Sequence, residues 1–182
     1  MQPKKWKIIS RKKILENQHL NLVEDLVELP DGTRVPYLRE SPATRHSVTI
    51  IALNTKNQIL LQKEYSYPPN EIMWQLPGGT VDNGEDVLYA ANRELSEESG
   101  VIARKIRMLG YYYTNNRRSD QKQYVLLGTD LLMHKNSRDP EEFIDNAWVT
   151  ITELKEKICK GEIHNINLLA AINMWLIETK NL

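Results

Sequence analysis

With one cysteine in 182 residues, the sequence has no means of forming an internal disulfide or a zinc site built on several thiolates. Cys159 has only His164 near it along the chain, so a spectator role outweighs that of a thiol nucleophile. Net charge is also missing: 24 Lys and Arg balance 24 Asp and Glu, which argues against a broad electropositive surface for nucleic acid. No apolar run approaches the ~20 residues a membrane helix requires, and the first six residues, which include Lys4 and Lys5, are not followed by the apolar stretch of a secretory signal. The expectation is a soluble, cytoplasmic protein that partners neither nucleic acid nor membrane. Repeats and low-complexity tracts are lacking as well. What is present, 41% hydrophobic and 26% charged residues, suffices for the core of one ordinary domain and excludes disorder across the chain.

Along the chain, the first 19 residues alternate lysines and arginines with Trp6, Ile8, Ile9, Ile14 and Leu15, the pattern of a solvated strand face. Two β-prone stretches, Leu20 to Leu29 and Arg34 to Arg39, flank Asp31-Gly32, a hairpin signal because glycine accepts the positive φ of the turn. Residues 1–45 therefore read as an extension beside a main body at 46–182. In that body Ser47 to Leu53 reads as a buried strand, Asn54 to Gln58 as a turn and Ile59 to Glu64 as the returning strand. Further strands are expected at Ile106 to Tyr113, Gln123 to Leu132 and Ala147 to Ile151. Helices are expected at Val87 to Ser99, capped by Gly100, at Thr152 to Cys159 with Thr152 as N-cap, and at Asn165 to Thr179. The order of elements gives an α+β layered domain.

The charges are unevenly placed: Asp82, Glu85, Asp86, Glu94, Glu97 and Glu98 fall within 82–98. At about 100° per residue, Glu94, Glu97 and Glu98 share one face of the helix, beside the apolar stripe of Val87, Leu88, Ala91 and Leu95. Like charges at this spacing repel, and partial burial strengthens the repulsion, so a cation is expected there. Arg93 is one candidate and reaches Glu97 better than Glu98. A hard divalent ion is the other, since Mg²⁺ takes carboxylate oxygens and binds together with substrate phosphates. A solvated acidic face is the plain alternative; against it stands Pro77-Gly78-Gly79, a turn that brings backbone close to a bound ion.

Gly79, five residues, Glu85, seven residues, and then Arg93-Glu94-Leu95-Ser96-Glu97-Glu98-Ser99-Gly100-Val101 resemble the signature box of the Nudix hydrolases at every fixed position. The resemblance implies an α/β/α sandwich with a mixed sheet, and hydrolysis of a nucleoside diphosphate linked to another group with Mg²⁺ or Mn²⁺ as cofactor. It further implies Glu94 and Glu98 as direct metal ligands, Glu97 as a ligand directly or through water, the Gly78 carbonyl completing the set, Arg93 as the group orienting a glutamate, and Glu85 in an orienting role. A general base is needed beyond these. Related ADP-ribose pyrophosphatases carry a glutamate in the loop that here reads Asp139-Pro140-Glu141-Glu142-Phe143, which makes Glu142 the first choice and Glu141 the second.

The Pro30-Asp31-Gly32 hairpin, Gln62 to Pro68 and Trp74 to Gly79 are similar to the ADP-ribose and nucleotide-sugar pyrophosphatase branch, in which an extra N-terminal sheet builds a homodimer. That branch commonly has Arg at the position of Ser66 and Glu at that of Gln75, and a proline in the loop that here runs from Tyr113 to Arg118. Arg117, Arg118 and Lys122 are the cationic candidates for substrate, or solvated loop charges; Trp6, Trp74, Tyr67 and Tyr111 to Tyr113 are the aromatic candidates, each better suited to packing. The expectation is a Mg²⁺-dependent pyrophosphohydrolase that splits a nucleotide sugar such as ADP-ribose into nucleoside monophosphate and sugar phosphate. A dinucleotide or coenzyme A substrate, or a nucleotide-sensing domain without turnover, is the alternative.

Overall fold

The computed structural model describes residues 2–43, 45–134 and 144–179, and the chain divides into two compact units. The first comprises residues 1–46 together with 113–122. Its antiparallel sheet has the order β1 (Lys7–Glu16), β2 (Asn21–Glu28), β3 (Arg34–Glu40). Gly32 closes the β2–β3 turn at φ +87°, where a residue with a Cβ is strained. β2 buries every second residue, Val23, Asp25 and Val27, as the period of two demands. A buried aspartate requires partners. Asp25 receives Arg11 at 2.6 and 3.0 Å from one neighbouring strand and Arg39 at 2.9 Å from the other. β1 is exposed almost throughout, as its basic and apolar alternation predicts. Residues 113–122 tie into this unit where Arg118 donates to the Leu38 carbonyl at 2.7 Å and lies over the Tyr37 ring, and where the Ala43 N–H donates to Asp120.

The second unit, residues 47–112 and 123–182, holds two three-stranded sheets. One runs β4 (Ser47–Ala52), β8 (Lys122–Met133), β7 (Val101–Tyr113), with β4 parallel to β8. The other runs β6 (Glu71–Gln75), β5 (Gln58–Ser66), β9 (Asp145–Thr150), all antiparallel. β4 and β5 thus correct the expectation of a strand and its return. Asn54 closes the turn between them through its carbonyl and side chain, but only Leu53 and Ile59 bridge, and the two strands then enter different sheets. β4 is buried on both faces, which suits a parallel neighbour inside the body rather than a hairpin partner.

Helices cover both faces of these strands. α1 (Val87–Ser99) packs Ala90, Ala91 and Leu95 on Val48, Ile50, Leu60 and Leu126. α2 (Ile151–Cys159) and α3 (Ile166–Thr179) pack Leu154, Leu168, Ile172 and Trp175 on Ile51, Ile59, Leu61 and Val125. Consecutive residues of β5 therefore serve opposite cores. α2 starts two residues earlier than expected: Thr150 is its N-cap and forms a reciprocal capping box with Glu153, so Thr152 lies within the helix.

Candidate active site at the glutamate helix

Local chemistry fixes both ends of α1. Asp86 accepts the Leu88 and Tyr89 N–H groups at the N-terminus, and Gly100, at φ +68°, sends its N–H to Ser96 O at the C-terminus. The 77–79 turn is pinned to β4 by Ile50 N–H to Pro77 O and Val48 N–H to Gly79 O, each 2.9 Å. Position 78 has no room for a side chain, and position 79 has room only if Glu94 moves. A Cβ on Gly78 would stand 2.2 Å from Val48 O, and one on Gly79 would stand 2.6 Å from the Glu94 carboxylate. The turn and the helix are thereby in direct contact: Glu94 lies against Gly79, and Glu98, 6% exposed, accepts the Gly78 N–H at 3.0 Å.

Arg93 holds the acidic cluster together. Its guanidinium forms a fork on Glu85 at 2.8 and 3.1 Å, reaches Glu94 and Glu97 at 3.0 Å each, and donates to Thr80 O at 3.0 Å. These bonds, led by Glu85, raise Arg93 above its already high ordinary pKa against the opposing effect of burial. Reciprocally, Arg93 first and the Asp82 N–H second hold Glu85 below the usual carboxylate range. The reach of Arg93 to Glu97 agrees with the helical geometry of the sequence; its hold on Glu94 and Glu85 goes beyond it.

With Glu94 and Glu97 turned toward Arg93, no three carboxylate, thiol or imidazole groups converge on one point among the described residues. The donor set nonetheless suits a hard divalent cation: three clustered carboxylates, two of them mostly buried, next to a turn whose glycines leave no side chain in the way.

The remaining sequence candidates are placed as follows. Trp74 lies on β6 facing the α2–α3 core, with Lys63 and Lys157 over its ring at 4.7 and 5.1 Å. Tyr67 is 82% exposed in the β5–β6 turn. Arg117 and Arg118 are exposed in the N-terminal unit. Glu141 and Glu142 lie outside the described residues.

Sequence reasoning missed two features. A polar pocket of about 170 Å³ adjoins Gly78 and Gly79, lined by Thr49, Gln123, Asn165 and Asn167 among others, and none of its lining residues is ionisable. Separately, a row of amides crosses the second sheet on the α1 side, where Gln62 of β5 pairs with Gln75 of β6 and Asn146 of β9. Asn146 donates to the backbone carbonyl of Glu98 at 3.1 Å, and Gln75 donates to Glu64. The one sequence signal for this row was a glutamine directly after the apolar run Ile59-Leu60-Leu61.

The family model described as the NUDIX domain matches residues 43–170, and that of the nucleoside diphosphate sugar hydrolase N-terminal domain matches residues 6–37. The chain is 27% identical over 168 residues to the ADP-ribose pyrophosphatase of Bacillus subtilis (strain 168), covering 91% of this chain and 90% of that one. It is 28% identical over 159 residues to the ADP compounds hydrolase NudE of Escherichia coli (strain K12), covering 82% of each. Its fold matches a crystal structure of an ADP compounds hydrolase with a TM-score of 0.88 at 20% identity over the full length of both chains.

Proposed function

The chain belongs to the Nudix family, and from that premise we propose that it is a Mg²⁺- or Mn²⁺-dependent pyrophosphohydrolase of a nucleoside diphosphate sugar such as ADP-ribose. One observation carries the reading: Glu94 and Glu98 lie against the 77–79 turn, Glu98 on the Gly78 N–H, and Arg93 ties Glu97 to Glu94. In it Glu94, Glu97, Glu98 and the Gly78 carbonyl hold the cation. A bound divalent ion supplies neutralisation of the diphosphate and a lowered pKa for the attacking water. Glu142, or Glu141 in second place, takes the proton of that water as it attacks one phosphorus. The P–O–P bridge breaks, giving a nucleoside monophosphate and a sugar phosphate.

The neutral pocket beside Gly78 and Gly79 suits the uncharged, hydroxyl-bearing part of such a substrate, because its lining offers amide and hydroxyl groups and no charged side chain. From the sequence alone, Arg117 and Arg118 are assigned phosphate contacts and Tyr67 a stacking contact. Trp74 is a substrate contact only at its edge, since two lysines already cap its ring. The exposed Trp6, Ile8, Ile14 and Leu15 of the N-terminal segment support a homodimer, and the expected site of action is the cytoplasm.

A panel of ADP-ribose, other nucleotide sugars, dinucleotides and coenzyme A, assayed with Mg²⁺ or Mn²⁺ for phosphatase-sensitive products, tests the reading. Release from nucleotide sugars is expected; no release from any of them overturns it. A sedimentation mass near that of one chain, 21.2 kDa, would contradict the dimer.

A further inference from the structure

Gln62 is fully buried, and among the described residues neither its Nε2 nor its Oε1 has a hydrogen-bond partner; the same holds for Oδ1 of Asn146. Leaving buried amide groups unpaired is costly, and a leucine in the same slot would incur no such cost. The direction of the side chain follows from the strand. Ile59 and Leu61 face the core under α2 and α3, Leu60 faces Ala90, Ala91 and Leu95 of α1, and Gln62 repeats the direction of Leu60. Its ladder partner Asn146 confirms that side, because Asn146 Nδ2 bonds to the carbonyl of Glu98.

We infer that Gln62 and Asn146 form a seat for a buried water molecule beneath the last turn of α1, and that this water positions Glu98. The donor and acceptor count fits: one unpaired NH₂ group and two unpaired carbonyl oxygens in a single cross-strand row, against the two protons and two lone pairs of water. Opposed residues in such a row stand about 4.5–5.5 Å apart at Cβ, a span that one water bridges between two amides. The water fixes the orientation of Asn146, whose Nδ2 then stays on the Glu98 carbonyl. The carboxylate of the same residue receives the Gly78 N–H, so the chain of contacts ends at the turn beside the proposed metal ligands. Gln62 is thus a positioning residue, and its inferred effect on metal binding rests on the proposed role of Glu98.

The test is Gln62→Leu, with Gln62→Met as a second variant of similar length should the first fail to fold. Thermal unfolding and Mn²⁺ binding, read by electron paramagnetic resonance without substrate, are measured on each. Thermal stability equal to or above that of the wild type, combined with Mn²⁺ affinity lowered about tenfold or more, is the expected pair of results. A folded variant with Mn²⁺ affinity within a factor of two of the wild type overturns the inference. A crystal structure gives an independent reading: density for a water on Gln62 and Asn146 supports the seat, and a direct Gln62–Asn146 hydrogen bond refutes it. Should the wild type bind no Mn²⁺ at all, the proposed function fails, while the seat is still decided by that density.

Discussion

Replacing Arg93 with alanine removes a side chain that binds Glu85, Glu94 and Glu97 together, and the burial of each partner sets the size of the loss. Glu97 is 42% exposed at its side chain, so its bond is worth no more than a surface pair, about 0–1 kcal/mol. Glu85, at 10%, would be left as a mostly buried charge without its cation, a situation that costs about 3–5 kcal/mol when one partner of a buried pair is deleted, and Glu94, at 13%, would lose one of its partners. The expected loss for Arg93→Ala is therefore about 3 kcal/mol, measured by urea unfolding at pH 7 in EDTA. Arg93→Lys keeps the charge without the fork and should fall between the two. Because Arg93 holds Glu85 below the usual carboxylate range, the stabilisation is present above about pH 4.3, the unfolded value, and is lost as pH falls through the lower folded one. The gap between wild type and variant should accordingly narrow in acid. Saturating Mg²⁺ should stabilise the variant more than the wild type, since it would supply the charge Arg93 no longer does. A loss below about 1 kcal/mol in EDTA would refute the reasoning.

Glu98→Gln should reduce turnover of a nucleotide sugar and weaken Mn²⁺ binding together, whereas Glu142→Gln should lower kcat ~10²-fold or more with Mn²⁺ affinity unchanged; an equal effect from Glu141→Gln in place of Glu142→Gln reverses the order of those two. Gly79→Ala places a methyl carbon 2.6 Å from the Glu94 carboxylate, and should lower Mn²⁺ affinity with a smaller effect on thermal stability, because the carboxylate and not the strand must move. Gly78→Ala meets the backbone oxygen of Val48 at 2.2 Å and should instead lower the melting temperature itself. In the N-terminal unit, Arg11 above all, with Arg39, holds Asp25 below its ordinary pKa against burial, so hydrogen-exchange protection in β2 should be complete above about pH 4 and fall as pH drops through the folded value. Asp25→Asn should show weakened protection at neutral pH already; unchanged protection would refute the role of the triad.

The helix that carries the glutamates was legible to the residue, because its signals are local: a 3.6-residue period and a glycine stop, to which the structure adds an aspartate cap. The sheets were less so. Strand positions followed from apolar runs, but the parallel pairing of β4 with β8 joins residues more than 70 positions apart, and nothing within either run encodes its partner. β6 escaped notice because Met73-Trp74-Gln75 lies between two turns and shows no clean alternation. The N-cap of α2 was misplaced by two residues although Thr150 and Glu153 stand at the spacing of a capping box; weighing that reciprocal pair above the single Thr152 would have found it. Asn146 had no local signal, since its contact with Glu98 exists only through the β5–β9 ladder.

The zero net charge conceals how the cluster is neutralised. Three glutamates within five residues need a positive partner in either state of the site, and Arg93 supplies it by bonding to two of them and to Glu85. A divalent ion would draw on the same carboxylates, so its apparent affinity is its intrinsic affinity reduced by the bonds that Glu94 and Glu97 give up to Arg93. Glu85 prevents that competition from becoming exclusion. Its two bonds to Arg93, together with the Thr80 carbonyl, would keep the guanidinium anchored at the turn were Glu94 and Glu97 to move to a metal. On this argument Glu85, outside the proposed ligand set, tunes metal affinity. Glu85→Gln weakens that anchor, leaves Arg93 more dependent on Glu94 and Glu97, and should lower Mn²⁺ affinity; unchanged or tighter binding would mean that arginine and ion do not share those carboxylates.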